Sequence, residues 1–380
     1  MKEFLLKEIK TCNIAHELEK IGFDLSYCKP ASEKFLYKNI KIFNLNIAQA
    51  NILKQTALTV GADCATNREV VTGKQELSDV ILGGSHSQLR KIGEKLKHQP
   101  FQLKILGENL LSSINTNNKK TTKLAGILNI TPDSFSDGGK YFNLQDAQNR
   151  VLELIKDGAD IIDIGAETTK PFSTPTESSI QIERLKPVLE FIQKENFKTP
   201  ISIDTRSSEV ADFALNNGAS IINDVSGFDF DKSMPEIIAK YNAEVIIQHS
   251  KGTPDNMQVN PEYDDVVEEI FKNLKIKIDC ANAQGINKII IDPGIGFGKT
   301  KEHNFEILDR IEEFFSLNCP IMIGVSRKSM LCVNSDDNAL KDSLTLAISY
   351  PLIIKRVDFL RVHNVKLHKQ LLNSIPSRAI

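Results

Sequence analysis

Carboxylate and amide side chains stand at the ends of short apolar runs in this 380-residue chain. Asp204, Asn223 and Asp292 each end such a run. An ionised carboxylate accepts two parallel hydrogen bonds, and an amide both donates and accepts. These three residues therefore suit the donor-rich edge of a flat heterocycle.

Cationic residues follow two other apolar runs. Lys328, Arg361 and His363 supply positive charge and hydrogen-bond donors, which a phosphate group requires. Any single polar residue at the end of a strand is more often a helix cap or turn former than a catalyst. Many of the predicted strands end in a polar residue, and these ends would lie together at one edge of the fold. The combined pattern therefore favours a site for a heterocycle that bears a phosphate.

The elements that must position these residues form a regular alternation. From Leu124 onward, β-branched apolar runs alternate with segments of helical period, such as the stripe Ala147, Val151 and Leu154. Eight such units predict a (β/α)8 TIM barrel, an α/β fold that typically needs about 250 residues and carries its active site at the carboxyl ends of the strands. A doubly wound parallel sheet is the alternative fold. The predicted strands are 124–129, 161–165, 201–204, 220–223, 244–248, 288–292, 320–324 and 357–362.

The first third of the chain lacks this alternation of strands and helices. Helices are predicted over 48–60 and 87–96 and a strand over 79–82, which indicates a small α/β domain without indicating its role. The polar stretch 112–122 suits a linker. The predicted domains are an N-terminal domain of unknown role, 1–120, and a catalytic barrel, 121–380.

Composition argues against several classes of partner. The formal net charge is −2 and no Lys/Arg block appears, so nucleic acid is not an expected partner. No apolar run approaches a membrane span, and the first residues reach a charge before any signal-peptide core. The six cysteines show neither a C-x-x-C pair nor zinc spacing. We therefore expect reduced thiols, a cytoplasmic location and no membrane partner.

One segment that looks like a phosphate loop does not fit that pattern. Residues 294–300 read GIGFGKT, but the first glycine of G-x-x-x-x-G-K-[ST] falls on Pro293. We interpret the segment as a tight loop between a strand and a helix. Neither G-x-S-x-G nor H-E-x-x-H occurs, so a hydrolase triad and a zinc-protease site have no motif support.

Seven segments of the predicted barrel together resemble dihydropteroate synthase, the folate-pathway enzyme that sulfonamides inhibit. The resemblance covers the whole barrel, and the first segment and the last three are specific in combination. The segments are 126–139 (GILNITPDSFSDGG), 163–171 (DIGAETTKP), 203–205 (IDT), 222–224 (IND), 292–299 (DPGIGFGK), 326–329 (SRKS) and 361–363 (RVH).

The resemblance implies a reaction and a role for each matching position. The family joins 6-hydroxymethyl-7,8-dihydropterin diphosphate to p-aminobenzoate and releases diphosphate, with Mg²⁺ on the diphosphate, and the resemblance suggests a homodimer. The implied pterin-binding residues are Asp204, Asn223, Asp292, Lys328 and Arg361, of which Asp204, Lys328 and Arg361 are the catalytic ones. The implied diphosphate-binding residues are Asn129, Arg361 and His363, with Asn129 also beside the metal ion. The implied p-aminobenzoate-binding residues are Thr169, Lys170, Pro171, Phe297 and Ser329.

Three positions depart from the usual pattern of the family. Lys170 stands where arginine is usual, Gln248 where methionine commonly lies against the pterin ring, and Ala166 where glycine is frequent. Lysine lacks the planar fork with which arginine grips a carboxylate or phosphate. We expect these departures to affect substrate affinity and sulfonamide sensitivity rather than the class of reaction.

Two other functions stay open at the level of sequence. A methyltransferase that passes a methyl group from a reduced folate to a corrinoid shares the pterin-binding barrel, and such a barrel can also bind pterin without turnover. Segments 131–135 and 326–328 argue against the methyltransferase. A barrel without turnover is disfavoured by the presence of Asn129, Lys328, Arg361 and His363.

Overall fold

The computed structural model describes residues 4–114, 121–131, 143–167, 176–252, 260–331 and 337–376. The chain divides into two compact units, Met1–Asn118 and Lys119–Ile380. Each unit is described by itself. No helix within these described stretches has the length and apolar character needed to cross a membrane.

The N-terminal unit contains a small antiparallel sheet covered by helices. The sheet has the strand order β1-β3-β2 in the described part of the unit. Its elements are α1 (Ile14–Lys20), α2 (Cys28–Ser32), β1 (Tyr37–Asn46), α3 (Ile47–Leu58), β2 (Asp63–Thr66), β3 (Leu77–Ser85), α4 (His86–Leu96) and α5 (Leu103–Ile114).

Local sequence explains why the two helices that follow β1 and β3 begin where they do. Asn46 and Gln49 form a capping box at the start of α3, and Ser85 and Gln88 form one at the start of α4. Such boxes satisfy backbone N–H groups that have no partner within the helix. The predicted helices and strand of this unit are confirmed, whereas α1, α2, β1, β2 and α5 were not predicted.

Two glycines let α4 and α5 pack closely. A Cβ on Gly107 would lie 2.6 Å from the carbonyl oxygen of Gly93. We expect Gly107→Ala to lower the free energy of unfolding of this unit by about 1–3 kcal/mol, because the helices must move apart. Urea unfolding followed by circular dichroism measures the change. Glu108→Ala, on the exposed face of the same helix, is the control, and an equal loss in both variants would contradict the packing argument.

The C-terminal unit is a parallel barrel. Its strand order is β10-β11-β4-β5-β6-β7-β8-β9, and a parallel bridge between Ile291 and Ile321 joins the two ends of the sheet. The eight predicted strands and the predicted fold are confirmed, so the doubly wound sheet is wrong. The elements are β4 (Lys123–Asn129), α6 (Leu144–Lys156), β5 (Ile161–Gly165), α7 (Ser178–Glu195), β6 (Ile201–Asp204), α8 (Ser208–Asn216), β7 (Ile221–Asp224), α9 (Met234–Lys240), β8 (Glu244–Gln248), α10 (Val266–Ala283), β9 (Ile289–Asp292), α11 (Lys301–Asp309), β10 (Met322–Ile323), α12 (Asn338–Ile354), β11 (Phe359–Val362) and α13 (Val365–Ser374).

The interior of the barrel is built in layers that place the site. Side chains two residues apart on a strand point to the same face of the sheet. An apolar cluster of strand residues fills one interior layer, so the residues two positions later form the layer nearer the carboxyl ends. The apolar cluster contains Ala125, Ile161, Ile221, Ile246, Ile290 and Met322, with Phe359 packed against it. The polar residues two positions after five of these are Asp163, Asn223, Gln248, Asp292 and Arg361.

Candidate active site

Arg361 links two carboxylates from neighbouring strands. Its Nε donates to Asp163 Oδ2 at 2.6 Å, and its Nη2 donates to Asp204 Oδ2 at 2.7 Å. The side chain of Arg361 is 19% exposed, and the side chains of Asp163 and Asp204 are 0% and 11% exposed. Because all three are removed from most of the water, each charge depends on the others.

Asp163 was predicted only as part of a motif, with no role in the site. Its Oδ2 also accepts a hydrogen bond from the Asn223 side chain at 3.2 Å, so it joins Asn223 to Arg361. Its Oδ1 has no hydrogen-bond partner within the described stretches and is buried. A buried acceptor of this kind is costly without a partner, which suggests that a bound ligand donates to it. The sequence does contain a signal for Asp163: it stands two residues after Ile161, which points into the barrel.

Burial is the largest cause of the pKa shifts of Asp204 and Asp292, the two carboxylates predicted to bind the pterin. It raises the pKa of Asp204 to about 7, although the Arg361 guanidinium lowers it. Burial also raises the pKa of Asp292, against the Lys328 ammonium and a hydrogen bond from the Gly294 backbone N–H, which lies 2.7 Å from Asp292 Oδ1. The pKa of Arg361 is raised by Asp163 and Asp204 against its own burial, so it remains charged. The arrangement combines a fixed cation with carboxylates that can change protonation.

Lys328 lies beside Arg361 on the same rim. A Cβ on Gly324 would lie 3.7 Å from Arg361 Cβ and 3.9 Å from Lys328 Nζ, so the glycine leaves the space between them open. The ammonium donates to the Ile295 carbonyl oxygen and stands 4.8 Å from the centre of the Phe297 ring. Burial lowers the pKa of Lys328 to about 8, while Asp292 raises it. The cation is therefore available near neutral pH.

An ion pair holds the turn that carries Lys328. Arg327 has a φ of 58°, a left-handed conformation that non-glycine residues seldom adopt. Its guanidinium donates to both carboxylate oxygens of Asp342 at 2.7 and 2.9 Å, and Asp342 also accepts from the Asn364 side chain at 3.0 Å. Asp342 was missed from the sequence because it lies in α12, far along the chain from the turn that it holds.

His363 does not carry the positive charge that was expected of it. Burial, together with Arg327 and Arg361, lowers its pKa to about 3, so the ring is neutral. The Ser326 hydroxyl lies 2.9 Å from His363 Nδ1 and accepts the His363 backbone N–H. When the Ser326 hydroxyl donates to Nδ1, the neutral ring carries its N–H on Nε2. His363 is therefore neutral, and the positive charge belongs to Arg361 and Lys328.

Asn129 and Asp204 flank the same glycine. A Cβ on Gly165 would lie 3.3 Å from Asn129 Oδ1 and 3.8 Å from Asp204 Oδ2. An alanine at Gly165 would crowd the Asn129 oxygen, whereas its distance to the Asp204 oxygen is an ordinary contact. Asn129 is half-buried at the carboxyl end of β4 and so reaches the same rim.

A magnesium ion fits these residues only if a ligand brings it. No group of three or more His, Cys, Asp or Glu side chains that could hold a metal occurs among the described residues. Magnesium prefers oxygen ligands and commonly takes one or two from the protein and others from substrate phosphates and water. The amide oxygen of Asn129 can supply one such ligand. Such an oxygen suits a magnesium ion whose other ligands come from a phosphate group and water.

Two polar residues at the strand ends have structural contacts. Gln248 is buried, and its Nε2 donates to the Val225 carbonyl oxygen at 3.3 Å. Asp224 accepts hydrogen bonds from the backbone N–H groups of Ser226 and Phe228, both at 2.8 Å. Asp224 is a turn former, as a single strand-end aspartate usually is.

The structure brings together most of the residues predicted for the pterin and the diphosphate. Direct contacts or a shared glycine connect Lys328, Arg361, Asp204 and Asn129, and Asn223 joins them through Asp163. Of the predicted p-aminobenzoate residues, Phe297 adjoins Lys328, whereas Ser329 is exposed and no contact joins it to Phe297 among the described interactions. The remaining three, Thr169, Lys170 and Pro171, lie outside the described residues.

The fold and these groups define a class of protein: a (β/α)8 barrel with carboxylate and amide groups inside the rim and cations beside them, where enzymes of this fold carry their active sites. Residues 125–363 match the family model described as pterin binding enzyme. A crystal structure of dihydropteroate synthase from Clostridium difficile in the presence of pteroic acid superposes with a TM-score of 0.62 at 39% identity, covering 68% of this chain and 96% of that one.

Two curated relatives extend the similarity beyond the barrel. The bifunctional dihydropteroate synthase/dihydropteroate reductase of Helicobacter pylori is 31% identical over 98% of both chains. The probable bifunctional folylpolyglutamate synthase/dihydropteroate synthase of Haloferax volcanii is 33% identical over 83% of this chain, which spans 40% of that relative's length. The chain belongs to the dihydropteroate synthases, a group of the pterin-binding enzyme family.

Proposed function

We propose that this barrel condenses 6-hydroxymethyl-7,8-dihydropterin diphosphate with p-aminobenzoate to give 7,8-dihydropteroate and diphosphate. The observation that supports it best is the continuous polar layer in which Arg361 joins Asp163 and Asp204, with Lys328 next to it across Gly324. A pterin needs hydrogen-bond acceptors along its amino edge, and a leaving diphosphate needs cations and donors. Both sets are present on one rim.

The pterin ring would be held by its polar edge. Asp204, Asp292 and Asn223 offer carboxylate and amide oxygens inside the barrel. Asp163 Oδ1, which has no partner among the described residues, offers one more buried acceptor. Hydrogen bonds from the ring to these buried groups would be specific, since an analogue that lacks a donor leaves an acceptor unpaired.

The diphosphate would lie where the cations and Asn129 meet. Arg361 and Lys328 supply positive charge, and the neutral His363 ring supplies an N–H donor. Asn129 would hold the magnesium ion that accompanies the diphosphate. When bound, that ion neutralises part of the charge that develops on the leaving group.

The chemical step requires no nucleophile from the protein. The lone pair of the arylamine nitrogen forms a C–N bond to the exocyclic methylene as the C–O bond to the diphosphate breaks. The diphosphate leaves with the electron pair of that bond, and the protonated secondary amine that forms loses one proton to solvent. The protein contributes orientation of the two substrates and electrostatic stabilisation of the leaving group.

The charge on Lys328 predicts a pH dependence. If its ammonium stabilises the reaction, kcat/KM should fall as pH rises through about 8, where Lys328 loses its proton. Asp292 raises this pKa, so the basic limb in Asp292→Asn should move to lower pH. Initial rates from about pH 6 to about pH 10 measure both profiles. A basic limb that stays in place in the variant would contradict the role of the charge.

Steady-state release of diphosphate tests the proposed function. Release should require both substrates, and mass spectrometry should identify 7,8-dihydropteroate as the second product. Transfer of a methyl group from a reduced folate to a corrinoid would support the methyltransferase instead. Binding of the pterin diphosphate without any release would support a barrel that has lost turnover.

A second candidate activity is reduction of the product. The Helicobacter pylori relative, aligned over 98% of both chains, is named as a dihydropteroate reductase as well as a synthase. Reduction would add a hydride and a proton across the remaining imine bond of the 7,8-dihydropterin, with a reduced nicotinamide as the donor that is oxidised. Loss of nicotinamide absorbance that depends on 7,8-dihydropteroate tests this activity.

Three further properties are part of the proposal. Sulfonamides, which resemble p-aminobenzoate, should compete at the position that Phe297 bounds. The protein should be a homodimer, which sedimentation measures, and we propose a cytoplasmic location. Lys170, which stands where the family usually has arginine, should change sulfonamide sensitivity, because lysine lacks the guanidinium fork.

A further inference from the structure

Lys299 is a buried lysine that the proposed chemistry does not use. Burial lowers its pKa well below the usual value, while the charge of Asp292 raises it. Its side chain is 2% exposed, and its Nζ lies 3.0 Å from His249 Nδ1 and donates to the Phe297 carbonyl oxygen at 2.9 Å. The His249 carbonyl oxygen lies 3.5 Å away. The nitrogen of lysine has three N–H donors when charged and two when neutral. Either form finds buried hydrogen-bond partners here.

These acceptors come from two different strand ends. His249 directly follows β8, and Phe297 lies in the loop 294–298 after β9. The backbones touch here, since a Cβ on Gly294 would lie 1.8 Å from the His249 carbonyl oxygen and one on Gly298 would lie 2.2 Å from that of Lys251. Lys299 thus connects the loop to the neighbouring strand end by hydrogen bonds. The two backbones are so close there that neither Gly294 nor Gly298 could carry a side chain.

Phe297 is the residue that this arrangement fixes. Its carbonyl oxygen accepts from Lys299, and the next carbonyl, that of Gly298, accepts from the Tyr263 hydroxyl at 2.9 Å. Its ring faces the Lys328 ammonium at 4.8 Å. Both carbonyls that follow the Phe297 Cα are therefore held, so the direction of the ring is set by buried contacts rather than by the surface of the loop.

We infer that Lys299, together with His249, is a positioning residue that holds the Phe297 ring against the arylamine substrate. This inference rests on the proposed function, because only the resemblance places Phe297 at p-aminobenzoate. Lys299 acts through Phe297 and touches no reacting atom, unlike Lys328. Burial lowers the pKa of His249 well below its usual value, with the Lys299 charge as the next cause, so a neutral ring can accept the hydrogen bond.

The test is a comparison of kinetic constants in Lys299→Met, which removes the donors and keeps a long apolar side chain. We expect the KM for p-aminobenzoate to rise about tenfold, while kcat and the KM for the pterin diphosphate stay within about threefold. Removal of one acceptor by His249→Leu should change the same constant in the same direction. His249→Asn keeps an acceptor on the side chain and should restore it toward the wild-type value.

Lys277→Met is the matched control. Lys277 is 6% exposed, and it donates to the Ser226 carbonyl oxygen at 3.1 Å and to Asp229 at 2.7 Å, outside the loop 294–298. It therefore reports the general effect of removing a buried ammonium from this barrel. We expect its KM for p-aminobenzoate to stay near the wild-type value.

The outcomes separate this inference from the proposed function. Absence of turnover in the wild-type protein rejects the proposed function and, with it, the inference. If the wild type turns over, an unchanged KM for p-aminobenzoate in folded Lys299→Met overturns the inference alone. An equal rise in Lys277→Met, or an equal loss in all three constants, also overturns it. Thermal melting establishes that each variant is folded, and if Lys299→Met is not, the two His249 variants decide.

Discussion

Turnover should fall roughly a hundredfold or more when Lys328 is replaced by methionine, as expected for the loss of a donor aimed at developing negative charge. The ammonium stands across Gly324 from Arg361, donates to the Ile295 carbonyl oxygen and faces the Phe297 ring. Methionine keeps a similar length and removes the charge. Single-turnover measurement of diphosphate release reports the chemical step without the contribution of product release.

Lys355→Met is the control for the Lys328 variant. Lys355 is a partly exposed lysine that donates to backbone carbonyl oxygens at the end of α11, before β11 begins and so away from the carboxyl ends of the strands. The same substitution there should leave the single-turnover rate near that of the wild type. If Lys328→Met keeps a rate within about threefold of wild type, the cation is not part of the catalytic site.

Arg361→Met should abolish turnover and also destabilise the barrel by roughly 3–5 kcal/mol, because it leaves buried carboxylates without their partner. The two carboxylates, Asp163 and Asp204, lie 2.6 and 2.7 Å from the guanidinium nitrogens. Urea unfolding measures the loss of stability. A second substitution, Asp163→Asn, removes one of the unpaired charges and should recover part of the lost stability in the double variant.

The destabilisation should depend on pH. Burial raises the pKa of Asp204 from 3.8 to about 7 in the wild type, and Arg361 is the group that holds it from rising further. A folded pKa above the unfolded one means that stability falls as pH rises between the two values. Below about pH 7 Asp204 is protonated in both the wild type and Arg361→Met. Its contribution to the stability that Arg361→Met loses should therefore appear only above that pH. An Arg361→Met deficit that is equal at about pH 6 and about pH 9 would contradict this account.

The sequence carried enough information to predict the barrel and most of its rim. Strands covered on both faces read as continuous apolar runs, so their ends were visible at Asp204, Asn223 and Asp292. A polar residue two positions after an interior apolar one must also point into the barrel. Applied to Ile161, the same rule identifies Asp163, which motif matching left without a role.

Other features depend on contacts that the sequence does not display. The pair Arg327 and Asp342 joins a turn to a helix that begins later in the chain, so no local pattern reveals it. The neutral state of His363 follows from its burial beside two arginines, which the residue type cannot show. In the N-terminal unit, β1 alternates partly buried with exposed residues along most of its length, a weaker signal than the buried runs of the barrel.

The most direct test of the central claim follows one oxygen atom. In a pterin diphosphate labelled with ¹⁸O at the oxygen between the methylene carbon and phosphorus, attack by the arylamine at the methylene should release the label in the diphosphate. Mass spectrometry should then find dihydropteroate without the label. Label retained in a hydroxymethylpterin product would mean that the P–O bond breaks instead, and the proposed reaction at this rim would be wrong.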